Sequence, residues 1–247
     1  MPSSRSHHLT YTLYHGLWQG LDLIYPPVCG GCGKPGSRWC ADCQANVPLL
    51  QGPLCEKCGL PQEKAGLCSD CRLEKRSFHS LRSWAIFENP IRNALHSLKY
   101  RRDMGLGDAL AFHVAGFLEE LNWPVDMVVP IPLGRRRLRE RGYNQVGLIA
   151  RPLALLLKIR YSRRALARQR ETRSQVGLSR EERRENVSGA FRADGSLVAG
   201  KTILVMDDVA TTGSTLSSGA EALLASGAKE VYALTVARAL TRHMGHA

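Results

Sequence analysis

The sequence predicts an α/β protein in which a mainly parallel sheet carries helices on both faces and follows a small cysteine-rich module. Three observations lead to this class. After residue 80, apolar runs typical of buried strands alternate with helical patterns. All eight cysteines lie within residues 29–71. The chain of 247 residues, 44% of them hydrophobic, has room for one ordinary domain and a small one.

Residues 1–27 are predicted to form an N-terminal helix. Leu9, Leu13, Leu17 and Leu21 recur at every fourth position, so they share one face, which we expect to pack on the body of the protein. The first residues lack the apolar segment of a signal peptide, and no apolar run approaches the roughly 18 residues of a membrane span. We therefore expect a cytoplasmic protein without a membrane span.

Residues 28–75 are predicted to form a double zinc ribbon. The cysteines form four Cys-x-x-Cys pairs, and the second half of the segment repeats the first. Four thiolates suit a tetrahedral Zn²⁺, whereas disulfides are disfavoured in a chain without a secretion signal. The predicted ligand sets are Cys29, Cys32, Cys40 and Cys43 for one structural ion and Cys55, Cys58, Cys68 and Cys71 for the other. An interleaved pairing remains open at this point.

Residues 80–247 are predicted to form the sheet domain. Strands are expected at residues 81–87, 125–131, 203–206 and 231–236, and helices at residues 90–100, 106–121, 145–157 and 216–225. Because strands and helices alternate, we expect an open sheet of mainly parallel strands.

The stretch of residues 203–215 carries the clearest chemical signal. A continuous apolar run of the kind found in buried parallel strands ends at Asp207 and Asp208, and ligands bind beyond the carboxyl ends of such strands. A loop of small hydroxyl residues around Gly213 then opens a helix, so backbone N–H groups and a helix N-terminus can face a phosphate. The pattern is typical of a site for a phosphorylated ribose.

This stretch resembles the phosphoribosyl diphosphate (PRPP) motif of type I phosphoribosyltransferases, and the resemblance implies a type I phosphoribosyltransferase-like fold. It implies that Asp207 and Asp208 hold the ribose hydroxyls, that the following loop holds the 5-phosphate, and that Mg²⁺ accompanies PRPP. The implied PRPP-binding set is Asp207, Asp208, Val209, Ala210, Thr211, Thr212, Gly213, Ser214 and Thr215. The alternative is a carboxylate site of a nucleotide hydrolase, but the chain has no Gly-x-x-x-x-Gly-Lys-[Ser/Thr] segment.

With the cysteine pattern, further segments extend a resemblance to the ComF family, which includes GntX-type proteins, over nearly all residues after about residue 25. These segments are Leu98-Lys-Tyr-Arg101, Val129-Pro-Ile-Pro-Leu133, Arg141-Gly-Tyr-Asn-Gln145, Arg170-x-Thr172-x-x-Gln175 and Glu182-Arg-x-x-Asn186 through Gly189-Ala-Phe191. Members of the family combine an N-terminal zinc module with a phosphoribosyltransferase domain. Some are linked to DNA uptake in natural transformation, which makes DNA-uptake proteins candidate partners.

The resemblance also implies where the diphosphate binds. The loop at residues 132–144 would occupy that position, and arginine forks suit phosphate oxygens, so Arg135, Arg139 and Arg141 are the diphosphate candidates. For Lys99 and Arg101 in the adjacent motif, the basic end of a helix is favoured over a phosphate contact.

A polar, arginine-rich segment at residues 170–186 resembles a mobile loop that closes over the ligand. Its candidate residues are Thr172, Gln175 and Arg183. The alternative is a solvated connector, because Ser179 begins a capping box.

Two functional classes follow. Lys and Arg outnumber Asp and Glu by 34 to 22, and the net charge of +12 attracts polyanions, although charge alone reads no sequence. The first class is a phosphoribosyltransferase that acts on PRPP and serves DNA uptake or DNA processing. The sequence identifies neither its acceptor nor its catalytic residues. The second is a non-catalytic adaptor that senses PRPP or a nucleotide and binds single-stranded DNA or a protein.

Overall fold

A computed structural model describes residues 4–24, 26–170 and 189–240. Helices in this part of the chain are α1 Ser4–Ile24, α2 Ala41–Ala45, α3 Ser69–Leu73, α4 Ile91–Tyr100, α5 Leu106–Leu121, α6 Arg135–Arg141, α7 Gln145–Leu156, α8 Gly195–Val198 and α9 Ser214–Ala225. Strands are β1 Leu81–Ile86, β2 Met127–Pro130, β3 Arg160–Tyr161, β4 Leu166–Arg168, β5 Phe191–Ala193, β6 Thr202–Ala210 and β7 Glu230–Arg238.

Five strands form one parallel sheet in the order β1-β7-β6-β2-β3. Strand β6 lies at the centre, where Val205 is level with Val129 of β2 and with Ala233 of β7. Strands β4 and β5 form a separate antiparallel ribbon. The predicted α/β class with a mainly parallel sheet is therefore confirmed.

Helices cover both faces of this sheet, because side chains of β6 alternate between two cores. Leu204 and Met206 point into the core that contains α4, α5 and α7. Ile203 and Val205 point into the core that contains α9 and the β4–β5 ribbon. All four are fully buried, as expected of a central strand in a parallel sheet.

The two cysteine-rich ribbons pack on different parts of this domain. In the first ribbon, the carbonyl of Gly31 accepts a hydrogen bond from the Asn93 side chain at the start of α4 (2.8 Å). In the second, the carbonyl of Lys57 accepts from the amide of Leu81 (2.8 Å), and the carbonyl of Cys58 accepts from the buried guanidinium of Arg238 (2.9 Å). The second ribbon is thus bonded to the first and last strands of the sheet domain.

For Leu13, Leu17 and Leu21, the prediction that the leucine face of α1 packs on the body was wrong, whereas the Leu9 side chain lies outside the described residues. Leu13 and Leu17 are each 69% exposed, and Leu21 is 46% exposed. A neighbouring face packs instead: Arg38 lies over the Trp18 ring at 5.6 Å, and Arg151 lies over the Tyr14 ring at 5.7 Å. Aromatic rings offer more contact area than leucine and can also attract a cation, so they determine the buried face.

Ion pairs reinforce the same face of α1. Asp22 pairs with Arg38, and His15 contacts the buried Asp108 of α5. No helix in the described ranges is both long enough and apolar enough to cross a bilayer.

We expect Leu17→Gln to leave the free energy of unfolding within about 0.5 kcal/mol of the wild type, because the side chain is exposed. Trp18→Ala should lower that free energy by about 1–2 kcal/mol through lost apolar burial and the lost cation–π contact. Urea unfolding followed by circular dichroism measures both. A loss for Leu17→Gln as large as the loss expected for Trp18→Ala would contradict this assignment of the buried face.

Candidate functional site

The eight cysteines form two four-sulfur clusters that fit zinc. One contains Cys29, Cys32, Cys40 and Cys43 and the other contains Cys55, Cys58, Cys68 and Cys71, with the Sγ atoms of each cluster within 4.8 Å of one another. The pairing is therefore sequential and not interleaved.

The sulfur separations also suit a tetrahedral ion. Zn–S bonds of about 2.3 Å place the sulfurs of a tetrahedral site about 3.8 Å apart. The observed separations are 3.5 Å for Cys29 and Cys43 and 3.7 Å for Cys58 and Cys68. The backbone amide of Cys68 donates to the Cys55 Sγ atom (3.3 Å), as is suited to a thiolate. Zinc bound here would stabilise the fold of each ribbon without taking part in chemistry at the sheet.

Asp207 and Asp208, the acid pair, lie within β6 near its carboxyl end. The predicted strand ended at residue 206, but β6 continues through Asp207 and Asp208 to Ala210 because the pairing with β7 continues to Arg238. Asp208 is consequently buried, with 7% of the residue exposed. A carboxylate at such a position requires a compensating charge.

Lys99, from the last turn of α4, supplies that charge. Its Nζ atom forms an ion pair with Asp208 Oδ2. Burial alone would raise the pKa of Asp208, but the Lys99 ammonium outweighs burial and holds that pKa below its usual range. Lys99 is the basic residue at the end of α4, as the sequence favoured, but its ion pair with Asp208 was not predicted.

Asp207 behaves in the opposite way. Burial, followed by the negative charge of Asp208, raises the pKa of Asp207 well above its usual range. Its Oδ1 atom accepts a hydrogen bond from the amide of Asp208 (2.9 Å). The acid pair therefore combines one carboxyl group that favours the neutral form with one that favours the charged form.

The loop after β6 begins α9 in the way expected of a phosphate-binding turn. Gly213 has a φ of 78°, which favours glycine, and α9 starts at the next residue. A Cβ atom on Gly213 would lie 3.2 Å from the buried Leu81, so the loop sits directly on the first strand of the domain. The Thr212 and Ser214 hydroxyls lie 2.7 Å apart and form a hydrogen bond.

Acid pair and loop line one cavity of about 800 Å³. Its walls include every position of the predicted PRPP-binding set: Asp207, Asp208, Val209, Ala210, Thr211, Thr212, Gly213, Ser214 and Thr215. The residues that the sequence assigned to one site thus line one cavity in the structure.

The basic segment beside this cavity differs from its prediction. Residues 132–144 were expected to form a loop, but they contain helix α6, which ends at Gly142 with a φ of 82°. Helix geometry turns Arg136, Arg137 and Arg141 toward the cavity, whereas the predicted Arg135 and Arg139 are not among its lining residues. Thr172, Gln175 and Arg183 lie outside the described residues.

Other lining residues were missed by sequence reasoning. They are Lys99, Tyr100, Glu140, Gln145 and Arg168, besides the two arginines of α6. One signal was available, since the motif Leu98-Lys-Tyr-Arg101 carried part of the family resemblance.

The acid pair predicts a pH-dependent stability. Because its pKa is raised in the folded protein, ionised Asp207 destabilises the fold at neutral pH, and this penalty disappears below about pH 4, where an Asp carboxyl is also protonated in the unfolded chain. Asp207→Asn should therefore raise the free energy of unfolding at pH 7, on the order of 1 kcal/mol, and change it little below pH 4. Urea unfolding at both pH values provides the measurement.

Asp208→Asn is the matched control with the opposite sign. In the wild type, Lys99 lowers the pKa of Asp208, so ionised Asp208 contributes stability at pH 7 that is lost as the pH falls. Loss of stability at pH 7 in both variants would contradict the assignment of the neutral form to Asp207.

Two family models match the chain. A double zinc ribbon domain matches residues 20–72, and a phosphoribosyl transferase domain matches residues 105–244. Among solved structures, a glutamine PRPP amidotransferase from B. subtilis matches with 22% identity and a TM-score of 0.35, over 57% of this chain and 26% of that chain.

Curated relatives match along most of their length. The DNA utilization protein YhgH of Escherichia coli K12 is 32% identical over 230 residues, which are 88% of this chain and 100% of that protein. Competence protein F of Haemophilus influenzae is 29% identical over 81% of this chain and 90% of that protein. Competence protein ComFC of Bacillus subtilis is 29% identical over 90% of this chain and 89% of that protein. The chain therefore belongs to the ComF family, in which a double zinc ribbon is joined to a phosphoribosyltransferase domain.

Proposed function

We propose that this protein binds PRPP with Mg²⁺ at the cavity beyond the carboxyl end of β6 and that it serves DNA uptake or DNA processing in the cytoplasm. The observation that carries the proposal is the joint lining of one cavity by an acid pair whose Asp208 is buried, a glycine turn at a helix start, and arginines of α6.

Each part of the cavity suits one part of the ligand. Helix α9 has twelve residues, so its N-terminus and the hydroxyls of the preceding loop favour the 5-phosphate. The acid pair offers acceptors for the ribose hydroxyls. Arg136, Arg137 and Arg141 offer forked donors for the diphosphate.

Side-chain oxygen atoms that line the cavity also fit Mg²⁺. Hydroxyl and carboxylate oxygens are the donors that a hard cation prefers, and Asp207, Asp208, Thr211 and Thr215 supply them. When bound with PRPP, Mg²⁺ would neutralise charge on the diphosphate. The arginines of α6 would stabilise the same charge as it develops on a departing diphosphate, which makes phosphoribosyl transfer chemically reasonable.

Titration calorimetry of the zinc-loaded protein with PRPP and Mg²⁺ tests the ligand. We expect binding by the wild type and at least a tenfold loss, or about 1.4 kcal/mol, in the double variant Asp207→Asn/Asp208→Asn. Glu119→Gln/Glu120→Gln on α5 is the matched control, because it removes the same charge from two exposed residues outside the cavity. Absence of binding by the wild type would refute the proposal.

A second candidate function is that of an adaptor for single-stranded DNA. It is favoured by the arginines that are exposed outside the cavity, including Arg135, Arg139, Arg163 and Arg164. The names of the relatives, which refer to DNA utilization and competence, point to the same polyanion. Such residues can bind phosphates without reading bases.

We expect an affinity for single-stranded DNA that falls as salt rises. In Arg135→Gln/Arg139→Gln the affinity should fall further and the slope of its logarithm against log salt should decrease by about 1–2, because fewer counterions are released. Fluorescence anisotropy with a labelled oligonucleotide measures this effect, and PRPP titration of the same variant is the control. An unchanged slope would exclude α6 from the DNA-binding surface.

A further inference from the structure

The Lys99 ammonium is bound to a carboxylate that the proposed ligand would use. That carboxylate belongs to Asp208, one of the two residues to which the ribose hydroxyls are assigned. The Lys99 side chain is only 22% exposed, and Asp208 has 10% of its side chain exposed. A ribose that uses the Asp208 carboxylate must therefore compete with a partly buried cation.

The end of α4 that carries Lys99 is fastened to the basic segment. The Tyr143 hydroxyl, two residues after α6, donates a hydrogen bond to the Leu98 carbonyl (2.6 Å). The Arg141 guanidinium lies over the Tyr100 ring at 5.5 Å and also donates to the Gln145 side chain. The helix end that carries Lys99 thus contacts both the acid pair and the α6 segment, and Lys99 lines the same cavity as Arg136, Arg137 and Arg141.

Displacement of Lys99 from Asp208 has a cost that depends on the ligand. An ammonium that loses its carboxylate inside a partly buried site loses favourable charge interactions unless another anion replaces it. Ribose 5-phosphate brings its anion to the loop before α9 and leaves the position beside α6 empty. PRPP brings a second anionic group, the diphosphate at C1, to the side where the arginines lie.

We propose that Lys99 is a specificity-determining residue that exchanges Asp208 for the diphosphate of the ligand, so that the cavity selects 1-diphosphorylated ribose over ribose 5-phosphate. This inference rests on the proposed function of the cavity. Selection arises because only one of the two ligands compensates the displaced ammonium.

A role confined to neutralising Asp208 would have a different consequence. In that case, loss of the Lys99 charge would change the ribose contacts alone, and both ligands would be affected alike. If Lys99 instead contacts the diphosphate, its removal weakens PRPP binding and spares ribose 5-phosphate, for which the competing cation has also been removed.

The test compares both ligands in calorimetric titrations with Mg²⁺ at neutral pH, with ribose 5-phosphate measured by its competition with PRPP where direct heats are small. The variants are Lys99→Gln, Lys99→Met and Lys99→Arg. Arg92→Gln is the matched control, since it removes one positive charge from an exposed position of the same helix outside the cavity. Thermal unfolding checks that each variant is folded, and Lys99→Met replaces Lys99→Gln if the latter is unstable.

We expect Lys99→Gln to lose about tenfold or more in PRPP affinity, to bind ribose 5-phosphate at least as well as the wild type, and Lys99→Arg to recover part of the PRPP affinity. Arg92→Gln should match the wild type with both ligands. Equal losses for the two ligands, or an unchanged PRPP affinity, would overturn the role of Lys99 and leave the proposed function standing. A wild type that binds neither ligand would overturn both.

Discussion

The structure depends on the burial of β6 between two neighbours in a parallel sheet. Both edges of β6 are hydrogen-bonded, and its side chains enter cores on both faces, so residues 203–206 must be apolar. Two charged residues, Asp207 and Asp208, follow this apolar run toward the carboxyl end of the strand. The site is therefore located at the carboxyl end of the central strand, and the loop and α9 follow from the same strand end.

The acid pair lowers the stability of the fold that holds it, because ionisation of Asp207 is unfavourable. Two adjacent carboxyl groups in a low-dielectric position cannot both be charged at low cost, and the environment separates them: Lys99 stabilises the charge on Asp208, whereas burial and the Asp208 charge disfavour ionisation of Asp207. Functional sites commonly retain such unfavourable groups because a ligand later compensates them. Under the proposed function, the stability of the fold and the binding of the ligand are coupled through the same three side chains.

Local patterns explain why much of this protein could be predicted. The four Cys-x-x-Cys pairs follow from short spacings and β6 follows from a continuous apolar run, both of which are local properties, whereas the choice of which pairs share an ion needed the structure. The buried face of α1 was predicted wrongly because the choice between leucines and aromatic rings is made by Arg38 and Arg151, which are distant in sequence. The arginines of α6 were assigned to a loop, but helical periodicity would have separated Arg136 and Arg137 from Arg135 and Arg139.

Leu81 of β1 contacts both the second ribbon and the loop before α9, and this bears on how the chain can be divided. The Leu81 amide donates a hydrogen bond to the ribbon, and the Leu81 side chain packs beneath Gly213. At the end of β7, the Arg238 guanidinium donates to the Cys58 carbonyl. A fragment that began at residue 80 would keep every strand of the sheet, yet it would lose the covering of its first strand and the acceptor of a buried guanidinium. The boundary visible in the cysteine pattern is thus a boundary of composition, whereas hydrogen bonds of Leu81 and Arg238 join the second ribbon to the sheet that carries the cavity.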